Sequence, residues 1–485
     1  MRHLSAAILL LVWTASTSAQ SAAPGPADAA KAEEDIARIV GYAMTRSGAS
    51  EFLETLTDTI GGRITGSPES KAAAELILKA LKEAGLDNAH FEEYELSSVW
   101  RHGRAMGEII SPVHRSLYIG SYGWSPGTPG PIEVPVVDFG APGEGRTPAP
   151  EQVRGAAAIV DQQSSGVSSA YAGARLTIAK QMAQAGAAAM FIVSDKPDRM
   201  VYTSAFGFYP RGPLPILSIA KEDAALLRRM LAKGLVKVRL NIENSFDSHP
   251  GRERNVVADI PGSEAGEMVL LTAHFDSWDP AQGANDNGAG VAAVLEAARV
   301  LKALQIRLKH TIRFVFFSGE EQLANGSRAY VEQHRAELDH IRAMINTDSG
   351  AEQPLGLQLN GRQDLEAATK KLLKPLAPLG ADHVSLDADF DSDHESFMVA
   401  GVPSYSLLVE RADYDVRHHT IVDTFERIHP SLLGMDTAAM AVIGYQFANA
   451  SERPGRRLSP TEVVELLKKT GLEPLYRLEY PDSKP

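Results

Sequence analysis

The chain has 485 residues, 44% of them apolar and 22% charged, the balance of a globular protein rather than a disordered one. That length exceeds what a single hydrophobic core organises, so two domains are expected. A net charge of -13 leaves no basic stripe for a phosphate backbone and opposes docking on anionic lipid, so neither nucleic acid nor a membrane surface is an expected partner.

Residues 1–19 read as a secretory signal: Arg2 and His3 are polar, 6–13 are apolar, and Ser16-Thr17-Ser18-Ala19 offers small residues for cleavage before Gln20. Residues 20–30, rich in Ala and Pro, read as a flexible leader. No later apolar run approaches the roughly 20 residues a membrane span requires, so an exported protein without a membrane anchor is expected, periplasmic or secreted. The chain has no cysteine, which excludes disulfides, thiolate metal ligands and a cysteine nucleophile.

Residues 31–130 read as the N-terminal part of the main domain. Helical patterning starts near Lys31, and a second helix follows Ser67, with Pro68 in its first turn and Gly85 at its end. The stretch 97–130, rich in Gly, Pro, Ser and aromatics, reads as connecting structure. Residues 131–245 have a different texture: short strands at 134–137, 156–160, 187–193 and 236–242, with helices at 174–185 and 221–231. This is a small inserted α/β domain that lacks a cluster of histidines and carboxylates. From 246 to 450 apolar strands (255–259, 268–273, 310–317, 341–346 and 403–408) alternate with long helices, the clearest at 287–304. Such alternation implies an α/β fold, a mostly parallel central sheet with helices on both faces. The tail 451–485 contains one helix, opened by the capping box Ser459-Pro460-Thr461-Glu462 and stopped by Gly471.

Six residues fall at or just after predicted strand ends, where such sheets bind ligands: His274, Asp286, Glu320, Glu321, Asp348 and His419. His274 precedes Asp276 by two positions, so on a strand both point the same way, and Asp276 can orient the imidazole. Asp286 lies in a glycine-rich turn before a helix, where a helix cap is the bland alternative. Glu320 and Glu321 are adjacent acids of different direction; one can bind metal while the other serves as general base. Asp348 and His419 complete a donor set of imidazole nitrogens and carboxylate oxygens that suits zinc, with cobalt or manganese as alternatives. Charge favours two ions. Asp286, Glu321 and Asp348 with one hydroxide balance two Zn²⁺, which leaves Glu320 free for proton transfer.

His274-Phe275-Asp276-Ser277-Trp278-Asp279, the Gly-Ala-Asn-Asp-Asn-Gly run ending at Gly288, Gly319-Glu320-Glu321, and His419-Thr420 with Asp423-Thr424 together resemble the family of zinc aminopeptidases and glutamate carboxypeptidases. The stretch Leu56 to Arg63 resembles it too, and the insert resembles a protease-associated domain. The resemblance covers nearly all of the chain except the signal and the tail after about 450.

It implies a zinc-exopeptidase fold of the phosphorylase/hydrolase type and two Zn²⁺ ions per subunit. His274 and Asp348 would hold one ion, Glu321 and His419 the other, and Asp286 would bridge both. The peptide bond after Asp286 would be cis. Glu320 would take a proton from the attacking water and hand it to the leaving amine, and Asp276 would orient His274. Short peptides would be the substrates, and a homodimer the assembly.

The step from His274 to Asp286 favours the carboxypeptidase branch, with dipeptidase action. Asp393 and His394 resemble the aminopeptidase branch and would line the substrate pocket, unless they only cap a helix. His418 would hydrogen-bond the oxyanion. The competing classes are a binding protein with an inactive site and a single-zinc glutaminyl cyclase of similar fold; the complete donor set counts against the first, and Asp286, the Glu pair and the insert against the second.

Overall fold

The computed structural model describes residues 26–141, 147–162, 168–205, 208–411 and 414–480. The signal at 1–19 and the start of the leader lie outside these residues. Two eight-stranded sheets dominate the chain.

The first sheet runs, edge to edge, Asp87–Leu96, Gly251–Ile260, Thr311–Phe317, Met268–His274, Ile341–Asn346, Ser404–Val409, Pro354–Gln358 and His383–Ser385. Adjacent residues on its strands serve opposite cores, as the two-residue period requires. Leu271 and Phe314 pack against the helices Pro26–Arg46, Pro68–Glu83, Ala289–Ala303 and Pro430–Asn449, whereas Leu270 and Val315 meet Tyr330 and Phe397 on the other side. Helices therefore cover both faces. The parallel character is narrower than expected. The four central strands pair in parallel, but Gly251–Ile260 is antiparallel to both of its neighbours and Pro354–Gln358 is antiparallel to Ser404–Val409.

The second sheet runs Arg115–Ser116, Ala105–Ser111, Lys237–Ile242, Ile132–Gly140, Ala157–Val160, Ala189–Val193, Ile216–Ile219 and Ile119–Ser121. Three of these strands come from 97–130, which is not merely connecting. Gly107 explains how a glycine-rich stretch becomes a strand: a Cβ there would come within 2.8 Å of Ile119 Cδ1. The bare backbone lets Ile119 and Leu240 close over it. Met182 in the helix Ser168–Gln184 and Leu227 in Lys221–Leu231 belong to the cores on opposite faces of this sheet.

Two further expectations change at the chain ends. The first helix begins at Pro26, not near 31, because a proline in the first turn followed by alanines favours helix over a flexible leader. The tail holds two helices rather than one. Pro460–Thr470 has the expected capping box and ends at Gly471, with φ at +76°; Glu473–Glu479 follows, with a proline in its first turn. Leu472, Leu475 and Tyr476 pack against Phe390, Met398 and Leu467, docking the tail on the first sheet's domain. Among the described residues no helix is long and apolar enough to cross a membrane.

Candidate metal centre

The parallel strands of the first sheet end together, and their carboxyl ends carry the six expected residues. His274 closes the strand Met268–His274, the Glu320–Glu321 pair follows Thr311–Phe317, and Asp348 follows Ile341–Asn346. Asp286 comes from the turn before the helix Ala289–Ala303, and His419 from the segment after the short helix Tyr414–Arg417. All six converge.

Asp286 sits between two histidines. Its Oδ1 is 3.4 Å from His274 Nε2 and its Oδ2 is 3.2 Å from His419 Nε2. On one side His274 Nε2 is also 3.1 Å from Asp348 and 3.9 Å from Glu320. On the other, His419 Nε2 is 3.1 Å from Glu321, and His418 Nε2 approaches Asp286 to 3.5 Å. The donors thus sort into two groups, His274 with Glu320 and Asp348, and His418 with His419 and Asp286, each compact within 4.8 Å.

The turn bearing Asp286 is held by residues that the sequence reading left without a role. Arg63 is fully buried and donates to the carbonyls of Phe275, Gln282 and Gly283 at 2.6, 2.8 and 3.0 Å. Gly283 has φ of +62°, and a Cβ there would strike Ser277 at 2.3 Å, so only glycine fits. Asp423 accepts the N–H groups of Asn285 and Asp286, and the Asp286–Asn287 peptide is cis. The motif Asp423-Thr424 was the available signal for Asp423, and the stretch Leu56 to Arg63 for Arg63.

Asp276 does more than expected, and differently. The Nδ1 of His274 lies 3.1 Å from the Asp276 carbonyl, closer than its carboxylate at 3.5 Å. The carboxylate accepts the Thr65 hydroxyl at 2.7 Å and the backbone N–H groups of Glu320 and Glu321 at 3.2 and 3.3 Å. One side chain therefore ties the histidine strand to the acid pair.

Asp393 and His394 do not line the cavity over this cluster; Asp391, Ser392 and Glu395 do, and the cavity measures about 650 Å³. His394 is buried with its Nε2 3.0 Å from Asp389. Asp393 occupies the N-cap position of the helix His394–Val399 but makes no capping bond. The residues facing the cavity fall one or two positions away, Asp391 and Ser392 just before this short helix and Glu395 on it, whereas Asp393 and His394 are buried almost completely. His418 does line the cavity, stacked between Tyr414 and His419 with ring centroids 5.1 and 3.7 Å away.

Crowding of acids sets the electrostatics. Burial, reinforced by Asp348, Glu321 and Asp393, holds Glu320 well above the usual carboxylate range, with His274 opposing. Burial also lifts Glu321 to about 7. Burial would raise Asp286 as well, but hydrogen bonds from His274 and His419 hold it well below its ordinary value. The buried Glu321 Oε1 has no hydrogen-bond partner. An excess of converging anions, one with an orphaned oxygen, together with imidazole nitrogens, is a donor set that fits divalent metal.

An α/β sheet with a carboxylate–histidine cluster at its strand ends defines a class, the metal-dependent hydrolases. The particular family follows from comparison. Residues 255–443 match the model of Peptidase family M28. Carboxypeptidase Q of Xenopus laevis is 32% identical over 438 residues, covering 88% of this chain and 90% of that protein. The chain belongs to peptidase family M28, and it is a metallopeptidase. A peptidase M28 precursor from Shewanella amazonensis superposes with a TM-score of 0.78 at 27% identity, covering 89% of this chain and 99% of that one. The zinc aminopeptidase BSAP of Bacillus subtilis shares the fold, with a TM-score of 0.66 at 21% identity, covering 85% and 97%.

Proposed function

We propose that this chain is an exported exopeptidase that hydrolyses dipeptides or short peptides with two Zn²⁺ ions. The observation carrying this reading is Asp286, whose two oxygens face His274 and His419 separately at 3.4 and 3.2 Å. His274 and Asp348 would hold one ion, Glu321 and His419 the other, and Asp286 would serve both. When bound, such a pair makes water nucleophilic near neutral pH and polarises the scissile carbonyl.

Glu320 is the proton carrier. It lies on the His274 side, 3.9 Å from His274 Nε2 and outside the five expected ligands, placed to accept a proton from the attacking water and release it to the leaving amine. Asp276 fixes the backbone of Glu320 and Glu321, so that their carboxylates diverge. His418, at the cavity wall and stacked against His419, is placed to donate to the developing oxyanion.

Aminopeptidase action on longer peptides is the second reading; Ser392 and Glu395, which flank the Asp393-His394 pair that resembles aminopeptidases, line the cavity. Product analysis on dipeptides and tripeptides with free or blocked termini separates the two. Dipeptides cleaved and tripeptides spared support the dipeptidase; equal cleavage with a free amino terminus supports the aminopeptidase; two bound zinc ions with no hydrolysis of any substrate would sink both. Export rests on residues 1–19, and N-terminal sequencing of protein recovered outside the cytoplasm tests it by a start near residue 20. A homodimer is the expected assembly, read by light scattering.

A further inference from the structure

One loop of the second domain touches the metal centre. It follows the strand Ala189–Val193, and from it the Thr203 N–H donates to the carbonyl of His419 at 3.1 Å. Tyr202 lays its ring against the His419 imidazole, with centroids 5.3 Å apart and planes at 30°. Lys196 donates to the carbonyl of Asp415, on the short helix ahead of His419, and its ammonium sits 5.5 Å over the Tyr202 ring. The loop is itself fixed to the far strands of the second sheet. Tyr202 N–H donates to Ser218 Oγ at 3.2 Å, and the Thr203 hydroxyl to the Ser121 carbonyl at 2.8 Å.

His419 needs this support. Its φ is +58°, the left-handed region that a residue with a Cβ seldom occupies. A ligand histidine is ordinarily oriented by a hydrogen bond at its other ring nitrogen. His274 has one, with the Asp276 carbonyl 3.1 Å from Nδ1, whereas His419 Nδ1 is buried without a partner. Ring stacking replaces it, His418 at 3.7 Å and Tyr202 at 5.3 Å.

We propose that Tyr202 is a positioning residue of the metal centre, through which the second domain sets the orientation of His419 by stacking in place of the missing hydrogen bond. This rests on the two-metal reading and extends it: the two ions are held by unlike means, and the one at His419 depends on a domain outside the peptidase sheet.

The test titrates zinc-loaded full-length protein with a chelator and counts zinc per chain, with the visible spectrum of the cobalt-substituted enzyme as a second readout. Tyr202→Ala is expected to weaken one ion by about 10–100-fold, the usual cost of removing a ligand's orienting partner, and to change the cobalt bands. Tyr202→Phe keeps the ring and should keep both ions. Should Tyr202→Ala fail to fold, Tyr202→Leu decides on the same readouts. Two ions released from the alanine or leucine variant as from wild type, or a phenylalanine variant as defective as alanine, would overturn the proposal. A wild type that never holds two ions would instead overturn the two-metal reading on which it stands.

Discussion

Both eight-stranded sheets place parallel strands at the centre, antiparallel strands at the margins and helices on both faces, yet among the described residues only the first ends its central strands in clustered carboxylates and histidines. The second contributes from a loop, by stacking and backbone hydrogen bonds. The difference teaches that parallel architecture supplies a crevice at strand ends in either sheet. Chemistry requires in addition a group of like charges whose mutual repulsion a cation can relieve. A sheet without such charges can still shape the site by fixing side chains that belong to the other.

The sharpest way to break this contrast is Glu320→Gln. It should retain metal while kcat falls about 10²–10⁴-fold, the range for loss of a general acid–base group. Turnover at the wild-type rate would show that the acids of the first sheet only hold metal. Next comes the same truncation in both cores. Phe314→Ala and Phe191→Ala each remove a fully buried ring and should each cost about 3–5 kcal/mol in denaturant unfolding. Below the melting transition Phe191→Ala, on the strand leading to the loop that only positions His419, should lower kcat less than Phe314→Ala, on the strand leading to the acid pair. Equal kinetic defects would erase the distinction between the sheets.

A smaller effect concerns the tail. Arg328 pairs with both Glu395 and Glu479, at 2.7 and 2.8 Å. Burial, with the charge of Glu395 adding, pushes Glu479 up to about 9 from an ordinary 4.5. The folded protein therefore keeps a proton that the unfolded chain loses. That stability is full below pH 4.5 and drains as pH rises through about 9. Glu479→Gln should flatten this part of a Tm-against-pH curve; an unchanged slope would contradict it. The smallest effect is Ser459→Ala, which removes the capping box of Pro460–Thr470 and should cost about 1 kcal/mol by urea unfolding without touching kcat.

The five expected ligands and Glu320 were legible because strand ends are marked by local signals, an apolar run followed by Gly, Asp, Glu or His. Asp393 and His394 were misplaced because a helix rotates each successive residue by about a quarter turn, so a motif identifies the segment but not the face. The second sheet's strands within 97–130 were hidden because two of the three have only two or three residues, and the longest, Ala105–Ser111, pairs with a strand far along the chain, Leu240 opposite Gly107. Tyr202 and Glu479 gave no signal at all, being ordinary in type and flanking, and Arg63 lay in a motif that pointed to the family but not to its role.

By itself, then, the sequence determined the alternation of strands and helices, the family and the identity of the acids and histidines, since periodicity, capping and donor chemistry are local properties. Tertiary structure alone decided which oxygen of Asp286 faces which histidine, that the tail docks beside the cavity, and that a tyrosine of the second domain stacks on His419. Those facts depend on distances between residues remote in sequence, which are set by how the two sheets pack and not by any pattern along the chain.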